Sequence, residues 1–122
     1  MEPAPLTPEQ VLGRYFQALR DKDWAALRAC VAEGVRRTGP YLDVVEGRDA
    51  YADFLAGIVP RLVNYELRVH DVKLLADGGA AVRLSEILDV EGVRTEHPEL
   101  LLFGFDADGR IADVDIYLKR AP

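Results

Sequence analysis

The chain has 122 residues, 49% of them hydrophobic and 30% charged, a globular composition long enough to bury about two-thirds of its extended surface. Its 15 basic residues against 21 acidic ones leave a net charge of −6, which disfavours nucleic acid and anionic membranes as partners. A single cysteine, Cys30, excludes an intrachain disulfide and suits a reducing compartment. The opening MEPAPLTPEQ lacks the regions of a signal peptide, and the apolar run LLLFGF is too short to span a bilayer. A cytoplasmic protein is expected, with a leader over 1–6 and one domain over 7–120.

Thr7 reads as a helix N-cap, with Pro8 at the first helical position and Gln10 closing a capping box. Val11, Leu12, Tyr15, Phe16 and Leu19 then form one apolar stripe, predicting a helix over about 8–20. Asp23 caps a second helix that carries Trp24, Leu27, Cys30 and Val31 on one side, with Gly34 as its stop. A third helix starts near Arg48 with Tyr51, Phe54, Leu55, Ile58 and Val59 on its apolar face, and Pro60 ends or kinks it. From Asn64 onward the period changes from 3.6 to 2. Strands are expected at about 65–76, 80–90, 94–105 and 110–120, separated by turn sequences, with a short strand at about 35–39. Helices followed by a strand meander argue an α+β fold, helices on one face of a mostly antiparallel sheet.

Alternation places Ala112, Val114, Ile116 and Leu118 on the inner face of the last strand, and Leu101, Phe103 and Phe105 on that of the strand before it. Val82, Leu84 and Leu88 form the third inner row, and Glu86 falls among them. A two-residue turn at Glu91-Gly92 sets Val90 opposite Val93, Glu86 opposite His97 and Leu84 opposite Glu99. Two carboxylates and an imidazole are thereby aimed at an apolar surface, where an unpaired carboxylate costs several kcal/mol. Pro98 cannot donate to a ladder and implies an edge or a bulge, which would turn Glu99, and could turn His97, to the other face.

The segments VLGRYFQALRDKDWAALRACVAEGV, EGRDAYADFL and LFGFDADGRIADVDIYL resemble the nuclear transport factor 2-like superfamily, from about Thr7 to Arg120. That superfamily includes ketosteroid isomerase, scytalone dehydratase, limonene-epoxide hydrolase and the SnoaL-like polyketide cyclases. The resemblance implies three N-terminal helices on a strongly curved sheet, forming a cone with an internal pocket. It does not by itself imply a reaction. The isomerase tyrosine matches Arg14-Tyr15, but its base position falls on Gly39 before Pro40 and its second acid on Leu101 before Phe103. Ketosteroid isomerase activity is therefore not expected. The arginine flanked by two aspartates in limonene-epoxide hydrolase finds no convincing counterpart on the inner rows. SnoaL-like cyclases, which work with a carboxylate and a histidine inside the cone, remain compatible.

Glu86, His97 and Tyr15 are the expected catalytic residues, as acid, base and hydrogen-bond donor to an oxyanion. Glu99, Phe16, Trp24, Phe54, Leu84, Leu101, Phe103, Val114 and Ile116 are expected to contact ligand. Glu86 and His97 are expected to contact each other, while Tyr41 and Asp43 sit in a loop that could close over the opening. Two histidines without H-x-x-H or H-E-x-x-H spacing argue against a metal, and nothing implies a cofactor. Ser85 has outward parity and no nucleophile elbow, and His70 is expected to be solvated. The expected function is a cofactor-independent isomerase, cyclase or dehydratase of a small, largely apolar molecule. The alternative is a non-catalytic ligand-binding or homodimerising module. Outward-facing Ile87, Leu100, Leu102 and Tyr117 point to a homodimer through the outer sheet face.

Overall fold

The computed structural model describes residues 6–120, so most of the expected leader lies outside the described residues. Helix α1 spans Pro8–Asp21, and Thr7 and Gln10 close the capping box in both directions. Its buried stripe is Val11, Leu12, Tyr15, Phe16, Ala18 and Leu19. Asp23 caps α2 (Trp24–Cys30) by accepting from Ala26 N at 3.1 Å.

Strand β1 (Val31–Thr38) follows α2 without a loop. The expected helix through Val31 to Gly34 is therefore corrected. Val31 adopts extended backbone, pairs with Ile111 and accepts a hydrogen bond from Arg48 Nε at 3.1 Å. Val31 and Val35 are fully buried, and strand burial of two β-branched residues outweighs one more helical turn. Strand β2 (Val44–Glu46) precedes α3 (Arg48–Ile58), and a 3₁₀ turn over Val59–Arg61 contains Pro60.

Strands β3 (Val63–Leu74), β4 (Ala80–Val90), β5 (Val93–Phe105) and β6 (Ile111–Leu118) complete an open sheet of order β2-β1-β6-β5-β4-β3. Only β1 and β6 run parallel. The sheet is not closed, because β2 and β3 remain as edges. Its inner face packs against the helices through a core that includes Leu12, Phe16, Tyr51, Val82, Leu84, Phe103 and Val114.

Glu91 and Gly92 both have positive φ (51° and 80°), the geometry of a type I′ hairpin. The β4–β5 register then runs from Val90↔Val93 to Ala80↔Phe103 without a slip, Pro98 included. Pro98 fits because its carbonyl accepts from Lys119 N at 3.0 Å, and backbone N and O of one residue point the same way. The missing N–H therefore falls where the β6 ladder has just ended at Leu118. Glu86, His97 and Glu99 all keep inner parity. In β6 the expectation is corrected at one end: a register shift at Gly104/Phe105 buries Ile111 in place of Ala112.

Candidate functional site

Glu86 stands in the middle of β4, half-buried, with His97 directly opposite and Glu99 one diagonal step away. Its Oε2 accepts a hydrogen bond from Tyr65 Oη at 2.7 Å, contributed by the inner face of β3. The carboxyls of Glu99 and Glu86 line the same small cavity, and Glu86 is one of the causes that raise the Glu99 carboxyl. Among the described residues no ion pair or hydrogen bond joins His97 to Glu86. Long side chains reach diagonal as well as opposite neighbours on one sheet face, and here the diagonal Glu99, not His97, lines the same cavity as Glu86.

Ionised, both groups are acceptors only, and Glu99 Oε2 is buried without a partner. A proton on one of them supplies the missing donor. Burial is the main cause that pushes the Glu99 carboxyl up to about 9, with the nearby Glu86 and its negative charge acting in the same direction. Arg37 opposes the shift weakly. At neutral pH Glu99 is the acid of the pair and can donate a hydrogen bond.

A second pair lies on the helical side. Tyr15 of α1 and Tyr51 of α3 are fully buried and hydrogen-bonded through their hydroxyls. Desolvation raises Tyr15 well above its ordinary value of 10.0 and carries Tyr51 to about 12, so both remain protonated donors at neutral pH. The Tyr15 ring meets Phe16 and Phe103 edge-on, with centroids 5.3 and 5.9 Å away.

These groups surround a cavity of about 70 Å³ between helices and sheet. Of the expected site residues, Tyr15, Phe16, Leu84, Glu86, Glu99, Leu101 and Ile116 line it. Trp24, Phe54, His97, Phe103 and Val114 do not. Phe103 and Val114 are core, Trp24 packs against that core, and the Phe54 ring lies 4.7 Å below the Arg37 guanidinium. Arg37 and Tyr51 also line the cavity, and neither was expected there; Tyr65 reaches it through Glu86. Arg37 is an inner arginine that the sequence did not single out, and its one carboxylate partner among the described residues is Asp43 rather than two aspartates. Its side chain is 12% exposed, and its Nη1 donates to Asp43 Oδ2 at 3.0 Å.

On the outer face Ser85 is buried, its hydroxyl donating to Glu96 (2.7 Å) and lying 2.9 Å from His70 Nε2. His70 is exposed on its outer side. Among the described residues no group of three or more His, Cys, Asp or Glu is placed to hold a metal ion, and no helix is long and apolar enough to cross a membrane.

The SnoaL-like domain family matches residues 12–114, from α1 into β6, and so includes both polar pairs. The chain belongs to that family. Solved structures share the fold of this SnoaL-like protein at low identity. An NTF2-like protein of unknown function from Cytophaga hutchinsonii aligns at 14% identity and TM-score 0.78, covering 97% of this chain and 95% of its own. The epoxide hydrolase/cyclase-like enzyme SalBIII, of pyran ring formation in the polyether salinomycin, aligns at 19% identity and TM-score 0.79, covering 92% and 90%. An LEH-like epoxide hydrolase from M. tuberculosis aligns at 19% identity and TM-score 0.78, covering 96% and 86%. No curated protein matches the chain significantly in the same way.

Proposed function

We propose that this SnoaL-like protein is a cofactor-independent acid–base enzyme acting on a small, largely apolar molecule that carries an epoxide, carbonyl or enol. The observation that carries this reading is the placement of the Glu86 and Glu99 carboxyls in one small cavity beside two buried tyrosine hydroxyls, with Glu99 raised well above the usual carboxylate range. In epoxide opening, the Glu99 O–H donates its proton to the ring oxygen as the C–O bond breaks. Glu86 takes the proton of the attacking hydroxyl, whether from water or from the substrate itself. The enzyme is then left with Glu86 protonated and Glu99 ionised, and the proton passes back from Glu86 to Glu99. Isomerisation uses the same pair in the same sense, Glu86 abstracting and Glu99 donating. Tyr15, held by Tyr51, supplies a hydrogen bond to developing negative charge on oxygen. Arg37 adds positive charge at the same cavity. His97, which has no hydrogen bond or ion pair to Glu86, is assigned no step.

The two epoxide hydrolase-like fold neighbours favour ring opening or ring closure within this reaction class. The cavity volume of about 70 Å³ favours a second reading, a homodimerising module with a closed interior and no turnover, because ligand pockets usually hold about 300–1,000 Å³. A homodimer through the outer sheet face belongs to both readings. Turnover separates them. Terminal epoxides, hydroxy-epoxides and β,γ-unsaturated ketones are incubated with the protein and followed by NMR. Glu86→Gln and Glu99→Gln should each lower turnover by about 10²–10⁴-fold, the usual contribution of general acid–base catalysis. His97→Ala should cost less than either. Folded Gln variants that turn over substrate at the parent rate overturn the catalytic reading.

A further inference from the structure

The inner cavity has room for only a few non-hydrogen atoms, since one water occupies about 30 Å³ of liquid. An apolar substrate must therefore continue elsewhere. After the Thr38↔Asp115 rung, β1 leaves β6, and Ile116–Leu118 lose their partner on that side. The chain loops out over Gly39–Asp43 and returns in β2 to pair with the end of β1. Between loop and strand lies a cleft of about 340 Å³, lined by Pro40, Tyr41, Leu42, Ile116, Tyr117 and Leu118 among others. That is a ligand-sized volume.

Three observations tie this cleft to the cavity. Ile116 lines both spaces. Arg37, in the cavity wall, holds the loop through Asp43, so the wall of one space anchors the lip of the other. The lip is also preformed: Gly39 N donates to Asp43 O at 2.8 Å and Leu42 N to Gly39 O at 3.1 Å. Yet its apolar side chains are left uncovered, with Tyr41 64% and Leu42 84% exposed. Leu42 holds φ at 64°, a left-handed conformation costly for a leucine, and it presents that side chain outward.

We propose that the loop cleft is the subsite for the apolar body of the substrate, which is an amphiphile with an oxygen-bearing head in the Glu86–Glu99 cavity and an aliphatic or aryl-aliphatic tail along Tyr41 and Leu42. This rests on the reading of the cavity as the reaction site and adds the shape of the molecule it receives. Arg120, with its guanidinium 5.3 Å from the Tyr41 ring centroid, closes the far side of the cleft.

Straight-chain alcohols from 1-butanol to 1-decanol test the subsite by calorimetric titration. Each added methylene should tighten Kd about fourfold, which is the roughly 0.8 kcal/mol a buried CH₂ is worth, until the cleft is filled. Tyr41→Asp and Leu42→Asp both change exposed side chains, and Asp tolerates the left-handed backbone at 42. Each should flatten the chain-length dependence while leaving the shortest alcohol unaffected. No binding, a Kd that levels off after the first homologues, or a slope unmoved by both variants overturns the subsite. So does a dimer that Tyr41→Asp dissociates while the alcohol series stays unchanged, since a second copy then fills the cleft. Turnover plays no part in this readout, so the catalytic reading and the subsite fail separately.

Discussion

Glu99 and Glu86 sit diagonally across the β4–β5 ladder and face one small cavity, although His97 stands directly opposite Glu86. Like charges at one buried site repel, which favours a proton on one of them. A carboxylic acid kept neutral at pH 7 by its surroundings donates a hydrogen bond where a carboxylate cannot.

That proton makes stability depend on pH. Glu99 titrates near 4.5 in the unfolded chain and near 9 in the folded one, so between these values the folded state holds the extra proton. Stability should therefore fall as pH rises from about 5 to 9, by at most about 1.4 kcal/mol per pH unit for one proton. Glu99→Gln keeps the shape and removes the titration. Urea midpoints measured across this range should decline less in the variant, and the two proteins should diverge most at the alkaline end. Parallel midpoint curves would show that Glu99 is ionised when folded.

The tyrosine pair should behave as a unit. Tyr51→Phe leaves the buried Tyr15 hydroxyl without its partner, an expected cost of about 1–3 kcal/mol. Tyr15→Phe should cost a similar amount for the same reason. The double variant replaces both partners with apolar rings of the same shape, so it should cost clearly less than the two single changes added together. Chemical unfolding of the four proteins gives the coupling directly, and simple additivity would mean that the hydroxyls do not depend on each other.

The outer sheet face leads to an association prediction. Leu100 and Tyr117 are exposed there, 37% and 53%, and Leu102 is half-buried beside them. Ile87 contributes less than its parity indicates, because it is already buried within the chain. A homodimer through this face should sediment at twice the chain mass at micromolar concentration, and Tyr117→Lys should shift it to the monomer. A monomer at all accessible concentrations would remove the face from consideration as an interface.

Register was the most legible feature of the chain. A Glu-Gly pair between two alternating runs allows a two-residue turn with both φ values positive, and one turn then sets every pair along two strands. The inner placement of Glu86, His97 and Glu99 followed from it. The choice between an opposite and a diagonal partner did not, because it depends on side-chain reach and on a proton. Tyr51 was visible on its helical stripe, but its hydroxyl acquires meaning only when α3 docks beside α1. Arg37 and Tyr65 belong to β1 and β3, whose approach to the cavity is set by strand order. Local pattern does not carry strand order. At Val31 the helical period continued past the true end of α2, since a buried strand start and a helical stripe both ask for an apolar residue.

The partner of Glu86 can be read from the titration of its neighbour. After burial, the nearby Glu86 and its negative charge are the causes that hold the Glu99 carboxyl high. Glu86→Gln removes that charge while keeping a side chain of the same shape, so only burial then holds Glu99 above the ordinary carboxylate range. Carbon-13 NMR of the glutamate side chains should show the Glu99 midpoint moving down in Glu86→Gln. In His97→Ala the midpoint should stay close to that of the parent, because no hydrogen bond or ion pair connects the imidazole to the carboxyl pair. The opposite pattern, with His97→Ala moving Glu99 and Glu86→Gln leaving it in place, would transfer the acid–base pairing to the imidazole. It would also remove the carboxyl pair on which the proposed reaction rests.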